Sequence, residues 1–488
     1  MSKVALGLVG AVVVAGAISP VVVGTITHSK LEQLVDKVAA IPGYEAELVE
    51  YNQGYLTATA VYKVGFDSDV LASEQELDAL QTWMQEGATF DLDIQHGPLF
   101  LSDGLELGLT KAKVAFADDV PAVQEWHKTL GVEQLFSSHI FMGFTGQGYV
   151  HSDVAAFTYE EQSSGEKINF GGAQLQYKLF GYGTTYDATG EVGQITIDSE
   201  EGLFEVAPMT LTAKGEIPDQ MMLATGDMTF NMPSMTFKQN DTLMLETKDL
   251  VLAVNMYDAD DTEALNIDYR IDMASMLAEQ RTLQNFVLDV AVESLSKEAL
   301  VDYSELVNQY AVGEIDDTAM QAALMPLGQQ FLAKGPEFKL KQLSFDLDAE
   351  RSMKLSTQVG LDSAAASLLQ GDFIPMQLIP FIMADLKLDA SNAMAEEILT
   401  QYAAHQVEQA QVQAQMEAQA ALAADPEATP VEPAPLPTVE EAMAQYRAMK
   451  DQFVGAGYLV EDEAGLHIEA SFKQAQLTVN GNPIPLGM

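Results

Sequence analysis

Apolar and polar positions alternate along most of this chain. At 88–100, "ATFDLDIQHGPLF", Phe90, Leu92 and Ile94 fall on one side and Asp91, Asp93 and Gln95 on the other. A period of two is the mark of a half-buried strand. The stretch "YEAELVEYNQGYLTATAVYKVGF" reads as a hairpin about Gly54, and Leu105, Leu107 and Leu109 alternate again. Between about Ser138 and Asp272 strands follow one another almost without interruption: GQITI, LFEVAPMTLTAKG, GDMTFNMPSMTF, TLMLETKDLVLAVNM and ALNIDYRIDM. GQITI and GDMTF share a form, as do PMTL and PSMTF, which hints at a repeated strand unit. Strands so regularly spaced predict a long antiparallel sheet, curved so that its apolar faces meet.

Helical spacing interrupts this pattern. Leu31, Leu34, Val35 and Val38 suit a short helix halted by Pro42 and Gly43. Ser73, three residues before Glu76, opens a second helix as a capping box. A third spans Pro121–Leu130 and stops at Gly131. After the strand FVLDVAVESL (286–295), helices are expected from Ser296 to about Tyr310 and over Asp317–Ala333, then a β-hairpin over 336–361. Residues 391–424 are rich in Ala, Gln and Glu with almost no burial stripe, so an exposed helix is expected. Five prolines in 425–438 make a stiff linker, and a last helix leads into the strands LHIEASF and QLTVNG. The fold class is therefore mainly β with helical insertions (α+β). The segments are 1–27, 28–137, 138–273, 274–390, 391–438 and 439–488.

The N-terminus changes the picture. From Val4 to Ile26 there are 23 residues without a charge, enough for a helix to cross a bilayer core of about 30 Å. Pro20 directly after Ser19 is a poor cleavage context, so the stretch reads as an uncleaved transmembrane helix rather than a signal peptide. A short tail with Lys3 in the cytoplasm would leave the body on the far side. Gly7, Ala11 and Ala15 recur every four residues, a stripe that can pack helix on helix; the abundance of small residues in such spans explains it equally well.

Charge excludes some partners. With 24 basic and 72 acidic residues the net charge is −48, a field that repels nucleic acid and anionic headgroups. The chain has no cysteine, which removes disulfides, thiolate metal sites and cysteine nucleophiles. Its seven histidines include no pair at zinc-ligand spacing on a helix, and there is no nucleophile elbow or Walker loop. His96 shares the face of Phe90 and Ile94, so the strand aims Asp91 and Asp93 away from it. No catalytic, metal or cofactor-binding residue is assigned. Of 23 methionines, Met209, Met228, Met232, Met235 and Met244 lie in strands, where they could line an adaptable apolar groove or simply fill a core.

An ordered set of short motifs adds a resemblance. "YNQGYLTATA" (51–60), "IQHGPL" (94–99), "LAKGPEFKLKQLSF" (332–345), "GYLVEDEAGLHIEASF" (457–472) and "LTVNGNPIPL" (477–486), behind the apolar N-terminus, resemble the YdgA-like family of bacterial envelope proteins. The resemblance implies anchoring in the inner membrane of a Gram-negative cell with the body in the periplasm. It implies no catalytic residue. The leading expectation is a non-enzymatic β-rich scaffold that binds an envelope protein or an apolar ligand such as lipid. A self-assembling structural protein, forming homo-oligomers, is the alternative, and an enzyme the third reading.

Overall fold

The computed structural model describes residues 44–485, apart from 54–56, 67–87, 97–98, 101–105, 119, 162–163, 182–183, 217–224, 261–262, 279–280, 312–314, 363–364, 366–374 and 425–437. The apolar N-terminus with Gly7, Ala11 and Ala15, the helices expected before residue 87 and the proline linker lie outside the described residues. Among the described residues no helix is long and apolar enough to cross a membrane. The chain divides into two compact units, 1–280 with 294–331 and 281–293 with 332–488.

The first unit is an antiparallel sheet of mostly consecutive strands. β1 (Tyr44–Gln53), β2 (Thr57–Phe66) and β3 (Ala88–His96) pair in order. The short β4 (Leu99–Phe100) and β5 (Glu106–Leu107) pair only with each other, and Leu107 points into solvent. Of the alternating Leu105, Leu107 and Leu109, Leu105 lies outside the described residues and Leu107 belongs only to this two-residue strand; the main sheet resumes at β6 (Thr110–Phe116), beside β3. β7 (Phe136–Met142) and β8 (Gly148–Val154) follow.

The next four long strands each come in two pieces. β8 continues as β9 (Phe157–Glu160) after Ala155-Ala156, and β10 (Lys167–Phe170) continues as β11 (Ala173–Phe180) after Gly171-Gly172. β12 (Thr185–Val192) and β13 (Ile195–Ser199) are separated by Gly193-Gln194, and β14 (Gly202–Val206) and β15 (Met209–Glu216) by Ala207-Pro208. β16 (Thr225–Gln239), β17 (Thr242–Asp258) and β18 (Ala264–Ala278) run through. All the breaks lie at one height. On one side Val154, Ala173, Val192 and Met209 face one another across strands; on the other side Phe157, Phe170, Ile195, Val206 and Met235 do.

This line of breaks resets the alternation of side chains. Ile168 and Phe170 are even-numbered, whereas Ala173, Leu175, Tyr177 and Leu179 are odd, so strict alternation would place the two sets on opposite faces. Gly171 N–H donates to Gln194 O (2.8 Å) and Gly193 N–H to Gly172 O (2.7 Å). Consecutive residues thus reach the same neighbouring strand, which a regular antiparallel ladder does not allow. The apolar step becomes three residues instead of two, and Phe170 and Ala173 pack against the same core. A Cβ added to Gly193 would lie 2.4 Å from Gly171 O, so backbone itself fills the space there.

The line also explains an echo in the sequence. Register places Pro208 of PMTL directly opposite Pro233 of PSMTF, and Pro233 opposite Asp249, which has φ of 51°. Proline has no N–H for a ladder and is tolerated where the ladder is interrupted. The two motifs are successive crossings of one line. GQITI and GDMTF are not equivalent either: Gly193 lies on the line, whereas Gly226 is next to the start of β16.

The core of this unit lies under β2, β3, β6, β7, β8, β11 and β12. Phe90 is its centre, stacked on Tyr62 (5.0 Å) and Phe116 (4.9 Å) and edge-on to Phe136 (6.0 Å). Burial pushes the Tyr62 phenol pKa upward, so it stays a neutral hydroxyl. α1 (Pro121–Leu130) adds Val123 and Leu130 to this core. It starts on a proline, suited to a position whose N–H is free anyway, and ends on Gly131 at φ 67°. After β19 (Arg281–Ser296), which the unit boundary crosses at Glu293/Ser294, come α2 (Lys297–Ala311) and α3 (Asp317–Ala333). Lys297 pairs with Asp258, the last residue of β17, at 2.7 Å.

In the second unit β19, β20 (Glu337–Asp346), β21 (Ser352–Leu361) and β22 (Ile382–Ala390) pair in sequence. α4 (Asn392–Ala424) and α5 (Val439–Gly455) then form a helical hairpin. β23 (Val460–Glu461) and β24 (Leu466–Lys473) follow; β24 lies beside β22, and β25 (Gln476–Val479) and β26 (Asn482–Ile484) extend the edge. α4 is not bare throughout. Ala403 and Val407 pack on Ala442 and Met443 of α5, and Glu396 ion-pairs with Arg447 at 2.9 Å. The stripe escapes a hydrophobicity count because alanine supplies much of it. Thr438 and Glu441 complete a capping box at the start of α5.

Candidate functional site

The core face of the first unit continues beyond the core. Directly opposite residues share a face, so Tyr177, Ala188, Ala213, Met228, Val254 and Tyr269 form one row across β11 to β18. Burial falls along it. Tyr177 and Ala188 are 8% and 6% exposed, whereas Met228 is 42% exposed and Val254 and Tyr269 are half-buried. The next row, with Leu211, Phe230, Leu252 and Ile271, is half-buried throughout. The opposite face of these strands carries Thr212, Thr229, Asn231 and the Arg270–Asp272 ion pair, so the pleat itself is amphipathic. The result is an apolar strip over β15 to β18; on this face Met232 and Met273 are buried, as is Leu265 near the start of β18.

Four of the five sequence-selected methionines fall on this face. Met209, Met228 and Met232 lie on one side of the line of breaks, and Met235, opposite Val206, lies on the other. Met244 sits apart, at the register shift where Phe237 pairs with Leu245 and Lys238 with Leu243. Without the reset at the line, Met232 and Met235 would point in opposite directions.

His96 ends β3 on the core side, and Asp91 and Asp93 are exposed on the other. Its Nε2 is buried with no hydrogen-bond partner among the described residues. Among those residues no group of three or more histidine, aspartate or glutamate side chains is arranged to hold a metal ion.

A stronger polar constellation lies in the second unit. His467 on β24 has Nδ1 2.7 Å from Asp389 Oδ1 of β22 and Nε2 3.3 Å from Asp462 Oδ1 in the preceding turn. Asp462 Oδ1 also accepts from the backbone N–H of Ala464 (2.7 Å) and Gly465 (3.2 Å). The hydrogen bond to Asp389, with that to Asp462, raises the imidazole pKa above its ordinary value. The Ala464 N–H, and then His467, hold the Asp462 carboxyl below the usual carboxylate range. The three side chains form a clasp between a turn and two strands. A raised histidine pKa stabilises the fold below about pH 6.5 and loses that contribution as pH rises through the folded value. The difference in melting temperature between the native chain and His467→Gln is expected to be largest near pH 5.5 and to shrink toward about pH 8.5. A difference independent of pH would refute the clasp.

Residues 1–487 match the family described as "Bacterial protein of unknown function (DUF945)". The chain belongs to this bacterial family. Comparison with curated proteins and with solved structures gave no match. In this DUF945 protein the apolar strip was legible as methionine-bearing strands, but its extent depends on pairing. The clasp was not legible: Asp389 is 78 residues from His467, and only the β22–β24 register brings them together.

Proposed function

We propose that this DUF945 protein is a non-enzymatic envelope protein of the YdgA-like kind, anchored in the inner membrane by residues 4–26 with its body in the periplasm. The apolar strip on β15 to β18 binds a lipid acyl chain. The observation that carries the reading is the row from Tyr177 to Tyr269, where core residues pass into half-exposed ones on a single uninterrupted face. Soluble surfaces rarely leave contiguous apolar patches of more than a few hundred Å² uncovered. Met228 and Met235 suit a chain of variable shape because the thioether side chain repacks easily. The 23-residue uncharged stretch supports the anchor.

Native mass spectrometry of the full chain, gently extracted from membranes, tests this reading. Phospholipid is expected to co-purify, and Met228→Glu with Phe230→Glu is expected to remove most of it. A lipid-free protein, or one whose lipid is unaffected by the two charges, would sink the proposal. The same spectra test self-assembly, which is favoured by Ile398, Tyr402, Val412 and Met416 exposed along α4. A monomer at all concentrations would dispose of that second reading.

A further inference from the structure

The helix α4 carries two stripes. Ala403 and Val407 pack on α5, and Glu396 reaches Arg447 on the same side. The second stripe is Ile398, Tyr402, His405, Gln409, Val412 and Met416, all exposed. Its apolar members are 43%, 51%, 49% and 58% exposed, although the Tyr402 ring also meets Tyr446 edge-on at 5.1 Å. At 3.6 residues per turn this stripe stays within about 40° of one line along the helix. Ala403 and Val407 stand about 140–180° from that line, so α5 leaves it uncovered.

The stripe has the form of a coiled-coil seam. Its residues are spaced alternately four and three apart, the a/d pattern, and from Ile398 to Met416 it is about 27 Å long. No carboxylate lies in it. Glu396 and Glu397 are held by Arg447 and Arg351 of the same chain, and Glu408 stands beside the seam. The order of polarity reads the same from both ends: two apolar residues, two polar, two apolar. The central pair is hydrogen-bonded, with His405 Nε2 and Gln409 Nε2 2.9 Å apart.

We propose that this seam pairs with the same seam of a second copy of the chain, running antiparallel. Ile398 then meets Met416 of the second copy, Tyr402 meets Val412, and His405 meets Gln409. In this register the hole that receives His405 includes Glu408 of the second copy, so the seam's one basic group meets the carboxylate nearest to it. A polar layer fixes register, because a slip of one heptad sets His405 and Gln409 against apolar residues. A parallel pair would stack His405 on its own copy and align the two helix dipoles, which the antiparallel pair opposes. The inference rests on the self-assembly reading, to which it adds a surface and a direction, and does not depend on lipid binding.

Because the chain has no cysteine, introduced thiols report on this contact without background. The full chain, extracted in detergent, is oxidised with copper phenanthroline as Ile398→Cys, as Met416→Cys and as an equimolar mixture of the two. A disulfide-linked dimer is expected in the mixture at tenfold or more the level of either variant alone. Antiparallel pairing leaves each position about 27 Å from its own copy. Tyr402→Cys mixed with Val412→Cys is expected to behave alike, and all four positions are exposed, so the fold is not at stake. Linked dimers from each variant alone would reveal a parallel seam and overturn the inference. No linked dimer in a chain that light scattering shows to be oligomeric would overturn it while leaving self-assembly intact. A monomer throughout would remove both.

Discussion

Phe90→Ala is expected to destabilise the first unit by about 3–5 kcal/mol, the usual cost of emptying a large aromatic site in a core. Phe90 is 1% exposed and touches rings from three other strands: Tyr62, Phe116 and Phe136. None of these can swing in to fill the gap without leaving its own partner; Phe116 is edge-on to both Phe136 and Trp126. A loss of this size is a large share of the ~5–15 kcal/mol typical of a domain. Denaturant unfolding followed by Trp126 fluorescence checks it, because the indole reports on this core. A midpoint unchanged from the native chain would show that the stack is not the centre of the core.

The second large effect is expected at the line of breaks. Gly193→Val places a branched side chain where a Cβ alone would lie 2.4 Å from Gly171 O and 2.6 Å from its carbonyl carbon. The obstruction is backbone, so no rotamer relieves it, and the two strands must separate or the line must distort. Overpacking costs about 1–3 kcal/mol where side chains can shift, and a loss at or beyond the upper end is expected here. Gly328→Ala is the contrast: its added Cβ meets nothing within 4 Å inside α3, and helix propensity favours alanine by about 0.8–1.0 kcal/mol. Thermal unfolding of the two variants should move in opposite directions. Equal shifts would mean that the close approach of Gly171 and Gly193 carries no special weight.

Much of the fold was readable from local chemistry. α1 was bounded correctly because Pro121 and Gly131 punctuate it, and α3 because its apolar spacing stops before Gly335 and Pro336. The one-sided pattern of Phe90, Leu92 and Ile94 gave β3 and placed Asp91 and Asp93 on the exposed face. What escaped was everything that depends on pairing at a distance. The parity change between Phe170 and Ala173 looks like the end of one strand and the start of another; only the shared register shows one strand crossing a line. The same holds for Pro208 and Pro233, which read as a repeat and are neighbours. The strip was half legible: the methionines marked its strands, but their common face and the fall in burial toward β18 are properties of the whole ladder. The burial of Ala403 was hidden because alanine suits a packed face and an exposed one alike.

The line of breaks also governs which changes in length the gene can survive. Registers on its two sides agree, so each strand contributes the same number of residues between neighbouring rows. Deleting Gly172 alone would force the residues on one side of that strand to shift by one against both neighbours. Phe170 and Ala173, then two residues apart, would keep one face by ordinary alternation, but that strand would cross the line one residue short of both its neighbours. Compensation would demand matching deletions in the adjoining strands, and those changes cannot arrive together. Insertions and deletions are therefore expected to be tolerated at hairpin tips such as Asn240-Asp241 and not in the middle of the sheet.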